Sequence, residues 1–405
     1  MVNLELDVDA INLKTSVGHP YSESKKKHMF TETGDWNSER FVKDNIQKEI
    51  DRLWDNYVQG RNGNPISKAS LKDEARGFAK IEQKNTRVFY GGSLPFTIVQ
   101  RQLFLWFVRL VQKNPFTFMM APGMDASGPQ WHQLYEFLFD FSDQAIAGDY
   151  QKFDITMSAE EMHLAYEFII LLATRLGATP EHLKMMRACS EDSIHVLIDF
   201  FATLIRTNCN PSGHALTVMI NGLVNVIRVI TAFALTQMEG NSKREMWRCC
   251  ELFFEHVHLM TYGDDNAMTV KDKPEFNHTS MQNIFTEMGI TYTMADKKAA
   301  SVPYINQEET TFLKRGFRFE TELGKYVAPL DQASMVKMLA VMIPSKVESA
   351  EQQLSQSILS CHREAFFHGR EIFDKWDGLI KNPYRYCSRT ICAGIAGLGI
   401  LCAVV

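Results

Sequence analysis

The chain predicts an α+β fold divided into two or three lobes, and three observations carry that expectation. Its 405 residues, 45% of them hydrophobic, are enough to bury a substantial core. Residues 256–270 have a loose apolar/polar alternation interrupted by Tyr262-Gly263-Asp264-Asp265, the pattern of a β-hairpin. Apolar residues at helical spacing follow Ser158, Pro211 and Asn277 and recur across 347–375. No short repeat, heptad run or low-complexity tract is apparent.

The net charge of −5 argues at first against a nucleic-acid partner, but its distribution reverses that reading. Residues 61–113 hold ten Lys or Arg against three Asp or Glu, and phosphate binding needs local positive potential, not a basic whole. Lys72, Arg76 and Lys80 recur every four residues, with Lys84 and Arg87 after them. Such a run is ordinarily a solvated helix face. Here Gly77, Phe78, Phe89, Tyr90 and Gly91-Gly92 break helical regularity, so a looped or hairpin finger is expected.

The largely apolar segment 139–147 is expected to form a buried strand delivering Asp149 to its end. Ser158 and Glu161 then form a capping box that starts a helix through Met162, Leu164, Phe168, Leu171 and Leu172. Pro211-Ser212-Gly213-His214 marks a loop before a long apolar helix, on which Thr217 and Asn221 share one face. For an isolated Thr/Asn pair the better reading is a satisfied contact between helices. In the hairpin, Gly263 is free to take an unusual turn conformation and 268–270 begin the return strand. Asn277 to Met288 reads as an amphipathic helix ended by Gly289, followed by a strand at 290–293. Phe312-Leu313-Lys314-Arg315-Gly316-Phe317 has turn character, and its cations alone would fit an exposed edge defence. The segment 347–375 reads as helical, with Leu354, Ile358, Phe366, Phe367 and Phe373 as packing positions. His362 and His368 are not four apart and lack carboxylate neighbours in sequence, so both are read as structural.

Taken alone, Asp264-Asp265 is ordinary turn chemistry. Asp149 supplies a second source of carboxylate, and a strand end facing an acidic hairpin is a plausible site for two divalent ions. Ions about 3.5–4 Å apart serve phosphoryl transfer by activating an attacking oxygen and stabilising a leaving one. Oxygen-only ligands suit Mg²⁺ or Mn²⁺. Eight cysteines show no Cys-x-x-Cys spacing, so neither a zinc site nor a disulfide framework is expected, and reduced thiols fit best. The N-terminus has no signal-peptide pattern. The fifteen uncharged residues at 391–405 fall short of a ~30 Å hydrocarbon core at ~1.5 Å per residue. A weakly membrane-associating tail and a buried terminal segment stay open for them.

At this point the chain resembles the RNA-dependent RNA polymerases of picorna-like positive-strand RNA viruses, over roughly Ile11 to Trp376. Asp149 and Asp154 match the first palm motif; Ser212-Gly213, Thr217 and Asn221 the second; Tyr262-Gly263-Asp264-Asp265 the third. Ala295-Asp296-Lys297 matches the fourth and Phe312-Leu313-Lys314-Arg315 the fifth. Lys72 to Arg76, with Lys80 and Arg87, resembles the basic fingers motif, and Thr15 to Tyr21 followed by Lys25-Lys26-Lys27 resembles the fingers segment before it. Each is weak or moderate alone; seven in the family's order exclude coincidence.

The resemblance implies a right-hand polymerase: fingers at 1–115, a palm at 116–330 with a fingers insertion at about 165–210, a helical thumb at 331–390 and an apolar tail at 391–405. It implies Asp149, Asp264 and Asp265 as metal ligands for two Mg²⁺ or Mn²⁺ ions, and Lys297 as the proton donor to leaving pyrophosphate, with Lys298 an alternative. Lys72, Arg76, Lys80 and Arg87 are implied in gripping the triphosphate, and Asp154, Asn221, Ser212 and Thr217 in reading the ribose 2′-hydroxyl. Gly213, Lys314 and Arg315 are implied to support RNA and primer. Implied partners are template and nascent RNA, NTPs, a protein primer and other viral replication proteins, in a membrane-associated complex of the host cytoplasm. Family members usually carry more sequence before the fingers motif, so an N-terminally truncated or polyprotein-derived piece is expected. The competing classes are a catalytically inert RNA-binding fragment, a reverse transcriptase, which Asp154 and Asn221 disfavour, and a metal-dependent nuclease. A fused helicase is unsupported because no Gly-x-x-x-x-Gly-Lys-Ser/Thr loop is present.

Overall fold

The computed structural model describes residues 11–381 apart from 22, 32–39, 75, 241, 298 and 346–347. The apolar tail at 391–405 and Lys298 therefore lie outside the described residues. At the centre is a four-stranded antiparallel sheet in the order Tyr292–Met294, Ala145–Tyr150, Asp265–Val270, Val257–Tyr262. The last two strands form the expected hairpin, with Tyr262 opposite Asp265 and Gly263 at φ +63° in the turn.

Both faces of this sheet are covered. Ile146, Leu259 and Met268 pack into a core shared with the long helix Thr217–Gln237 and with His278–Glu287. On the opposite face Met260 and Ala267 join Trp131, Leu134 and Leu138 of the helix Gln130–Phe139, together with Phe312 and Phe317. The polar members of the alternation are consequently buried and must find partners. Thr261 donates its hydroxyl to the Met119 carbonyl at 2.9 Å and Thr269 to the Leu138 carbonyl at 2.7 Å.

The strand carrying Asp149 starts later than expected, at Ala145, because Phe139 still belongs to the preceding helix. Tyr135 and Phe139, one helical turn apart, pack against each other and against Phe317, and the polar residues Asp140, Ser142, Asp143 and Gln144 separate them from the strand. Gly148 is needed in this strand. A Cβ there would lie 2.2 Å from the Tyr292 ring of the neighbouring strand, whose hydroxyl is fixed on the Asn266 amide oxygen at 2.8 Å.

A second four-stranded sheet runs Val88–Gly91, Ile66–Leu71, His195–Phe200, Thr203–Asn208. Its first pair is the expected basic hairpin, and the Ile66–Leu71 strand pairs in parallel with His195–Phe200, so residues near 200 join the sheet begun before residue 100. The helices Asp44–Val58, Leu94–Lys113 and Pro180–Ile194 pack together in the main core, and the last runs directly into the strand His195–Phe200. Asp192 pins their junction: its carboxylate accepts from the Tyr57 hydroxyl at 2.8 Å and the Gly63 and Asn64 amides at 2.6 and 3.0 Å.

The capping box at Ser158 forms as expected, as does the helix ended near Gly289. The helical segment expected at 347–375 is instead two helices, Ala350–Phe366 and Arg370–Lys381, broken at Gly369 with φ +87°. With Gln332–Ala340 they enclose a small core of Met335, Cys361, Ala365 and Trp376. His362 does have a carboxylate neighbour, Asp377 at 3.1 Å, which helical pairing across the break supplies; His368 meets the Leu330 carbonyl at 2.8 Å. Thr217–Gln237 is long and apolar enough to span a membrane, but here it is the buried central helix of the core.

Replacing Gly148 with Ala should destabilise the protein by about 1–3 kcal/mol, the usual cost of overpacking. Urea denaturation monitored by circular dichroism would measure this as a lower midpoint at unchanged slope.

Candidate active site

Asp149, Asp264 and Asp265 meet at one end of the central sheet. Gly148 pairs with Asn266 in register, so Asp149 stands beside Asp265 on the adjacent strand, and the hairpin turn sets Asp264 next to both. Burial and neighbouring charge both disfavour ionisation of the turn carboxyls. Burial, then the charges of Asp154 and Asp149, raise the Asp264 carboxyl above its ordinary value, opposed in part by the Arg87 guanidinium. Asp265 is pushed up to about 6, chiefly by desolvation, although its carboxylate accepts the Leu313 amide at 2.6 Å. Lys297 contacts the Asp149 carboxylate directly and serves as its counter-ion.

The helix Thr217–Gln237 holds this arrangement through a polar stripe. The Asn221 amide donates to Asp154 at 3.0 Å and accepts from the Asn210 amide at 2.6 Å, which fixes its orientation. One turn on, Asn225 donates to the carbonyls of Gly263 at 3.1 Å and Asp265 at 3.2 Å, locking the acidic turn. Arg228, almost wholly buried, grips Glu161 through two bonds of 2.6 and 2.9 Å and the Thr156 carbonyl at 3.2 Å. Glu161 is also the capping-box residue of the next helix, so Arg228 secures the segment that bears Asp154. Asn225 and Arg228 escaped the sequence reading. The signal was their spacing, four and seven residues beyond Asn221 on an otherwise apolar helix.

A cleft of about 360 Å³ lies beside the acidic turn, lined by Ser212, His214, Thr217, Asn221, Tyr262 and Asp264. Not every predicted side chain points its polar atoms there. The Thr217 hydroxyl donates to the Pro211 and His214 carbonyls at 2.5 and 3.1 Å, bracing the loop, and the Ser212 hydroxyl accepts the Tyr90 amide at 3.4 Å. Gly213 permits the loop to approach the basic hairpin. Its amide donates to the Tyr90 carbonyl at 2.8 Å, and a Cβ would come within 2.6 Å of that oxygen. His214 is buried against Ser67 at 2.9 Å and desolvation lowers its pKa to about 3, so it remains neutral.

In the basic hairpin, Lys72, Arg76 and Arg87 gather around one acid, Glu74, at 3.8, 3.2 and 3.4 Å. Glu74, one of three acids in residues 61–113, is the hub of this basic cluster. Lys80 is exposed on the short helix Phe78–Glu82. At the turn near residue 314, Leu313 and Lys314 both have positive φ, and the main chains of Phe312 and Arg315 exchange hydrogen bonds of 2.9 Å. Lys314 is exposed, whereas Arg315 is turned inward as a bidentate partner of Glu364, both bonds 2.7 Å, with a third to the Ala328 carbonyl at 2.9 Å. Arg315 thus ties the turn to the helix Ala350–Phe366.

An antiparallel sheet presenting carboxylates from two neighbouring strands, flanked by a basic hairpin and a helical lobe, defines the right-hand polymerase class. The chain belongs to the viral RNA-dependent RNA polymerase family, whose model matches residues 5–388. It is 30% identical over 386 residues to the replicase polyprotein of Drosophila C virus (strain EB), covering 90% of this chain and 21% of that polyprotein. It is 26% identical over 394 residues to the replicase polyprotein of acute bee paralysis virus (strain Rothamsted), covering 93% and 20%. The chain therefore spans about a fifth of the length of these relatives. Among solved structures, the Sicinivirus 3Dpol RNA dependent RNA polymerase superposes with a TM-score of 0.75 at 18% identity, over 92% of this chain and 72% of that one, a likeness of fold.

Because the folded state raises the Asp265 pKa, its ionised form is penalised above about pH 6 and relieved below it. Metal-free Asp265→Asn should therefore melt at a higher temperature than the parent at pH 7.5, and the gap should begin to shrink as pH falls through about 6 and vanish as it approaches 3.8. Differential scanning fluorimetry in chelator across that range checks both the sign and the window.

Proposed function

We propose that this chain performs template-directed RNA synthesis from NTPs by nucleotidyl transfer, replicating a viral RNA genome. The observation that carries the proposal is the convergence of Asp149, Asp264 and Asp265 at one sheet end, where burial first, and neighbouring carboxylate charge second, raise the Asp264 and Asp265 carboxyls and call for a cationic partner. Lys297 already meets part of that demand at Asp149.

The donor set is all oxygen and fits Mg²⁺ or Mn²⁺. Held by Asp149 and Asp264, with Asp265 beside them, two such ions would activate the primer 3′-oxygen and stabilise charge on the leaving phosphate. Asp154 and Asn221 read the ribose: Asn221 is oriented by Asn210, and Asp154 keeps acceptor capacity for the 2′-hydroxyl. Thr217, Ser212 and Gly213 support that reading through the loop they brace. Lys72, Arg76, Lys80 and Arg87 bind the triphosphate, for which Glu74 is the competing anion. Lys297 lies beside Asp149 and protonates the departing pyrophosphate. Lys314 contacts the nascent strand, while Arg315 acts by holding the turn against the thumb helix.

The reading divides the chain into fingers at 1–115, a palm at 116–330 with the insertion at 165–210, and a thumb at 331–390. Template and nascent RNA are bound through backbone and shape, since base pairing supplies sequence choice. Viral replication proteins, a protein primer among them, are its partners in a membrane-associated complex of the host cytoplasm.

The test is extension of a primed homopolymer RNA by this chain with Mg²⁺ and NTPs. Asp264→Asn should lower the rate by roughly 10³-fold, equivalent to several kcal/mol of transition-state stabilisation. Equal extension by both proteins, or release of mononucleotides in place of polymer growth, would refute the proposal. Asn221→Ala should reduce the preference for NTPs over dNTPs more than it reduces dNTP incorporation.

A further inference from the structure

Outside this site, the helices Ala159–Arg175 and Pro180–Ile194 and the strand His195–Phe200 bring together His163, Glu191 and His195. One donor atom from each lies within 4.8 Å of the other two. His163 Nδ1 is 3.5 Å from one Glu191 oxygen and His195 Nε2 is 3.6 Å from the other. These separations are long for hydrogen bonds. They are close to the roughly 3.4 Å that separates two ligands bound to one tetrahedral ion at ~2.0–2.1 Å.

The surroundings are those of a ligand set. His195 Nδ1 lies 2.7 Å from the Asn208 amide oxygen, to which it donates, so in the neutral imidazole the Nε2 lone pair faces Glu191. One helical turn away, Arg187 is neutralised by a bidentate pairing with Glu167 at 3.1 and 2.9 Å, which also fixes the spacing of the two helices. His163, Glu191 and His195 are each partly exposed, with side chains 40%, 40% and 34% accessible, so water can complete a coordination shell.

We propose that His163, Glu191 and His195 bind one Zn²⁺ ion, with a fourth position open to water. Two imidazoles and one carboxylate favour zinc over Mg²⁺, which prefers an all-oxygen shell. Such an ion clips the helix that follows Asp154 to the strand that pairs with the basic hairpin. Its role is structural and independent of the polymerase reading.

The experiment uses the untagged chain, stripped with chelator and held in excess Mg²⁺ so that the aspartate cluster does not compete. Calorimetric titration with ZnCl₂ should show one equivalent bound, and thermal melting should show a rise with Zn²⁺ that further Mg²⁺ does not reproduce. His195→Ala should abolish the stoichiometric binding. Glu191→Gln, which keeps the side-chain size should the histidine variant fail to fold, should weaken it at least tenfold. Asn208→Ala, which removes only the orienting hydrogen bond, should weaken it about 10–100-fold. Absence of one-equivalent binding, or binding unchanged in Glu191→Gln, overturns the proposal.

Discussion

Crowding of like charge at one sheet end is the constraint on which the rest of the structure depends. Burial, reinforced by the charges of neighbouring aspartates, raises the carboxyl pKa values of Asp264 and Asp265, so the acids of this cluster do not favour their own assembly. The restoring force comes from the buried helix behind it. Asn221, Asn225 and Arg228 project from that helix to Asp154, to the carbonyls of the acidic turn, and to Glu161. Asn221 bonds the Asp154 carboxylate itself, Asn225 the main chain of the turn and Arg228 the neighbouring Glu161, while Lys297 is the counter-ion of Asp149, so the repulsion is resisted by groups outside the acidic turn.

That helix can do this because most of its other positions are apolar and many are buried. Met219, Ile220, Val224, Val229 and Phe233 anchor it in the main core, which leaves the polar stripe little freedom to move. The central sheet is fixed from the other side by Trp131, Phe312 and Phe317. A sheet covered on both faces cannot let Thr261 or Thr269 face water, and both hydroxyls instead stitch the hairpin to the adjoining layer. Rigidity of the acidic turn is therefore inherited from packing on two faces and not from the turn itself.

This explains which parts were legible in the sequence. The acidic hairpin, the capping box at Ser158 and the helix ended by Gly289 are local, and spacing alone reveals them. Asp149 was legible because a second acid was needed to make sense of the turn. The contributions of Glu74, Asn225, Arg228 and Arg315 were not, since each is defined by a partner or partners that spacing cannot supply. Arg315 finds Glu364, 49 residues away, and Arg228 finds Glu161, 67 away. Periodicity says which residues share a face; it does not say what that face meets. The misplaced start of the Asp149 strand has a different origin: Asp140, Ser142, Asp143 and Gln144 mark the change from helix to strand, and treating 139–147 as one largely apolar segment passes over them.

The cations divide by the same criterion. Arg228 and Arg315 are sheltered, bidentate and spent on fixed carboxylates, so their removal would leave Glu161 or Glu364 without a counter-charge. Lys72, Arg76 and Arg87 share the single carboxylate of Glu74 at longer distances, so three positive charges meet one negative and the hairpin keeps net positive potential. Lys297 is largely exposed yet paired to Asp149, an arrangement in high dielectric that costs little to exchange for another partner. Adjacent cations in sequence, such as Lys314 and Arg315, thus fall on opposite sides of the division. Burial and partner geometry, more than residue type, separate the charges that build the site from those left free to meet a ligand.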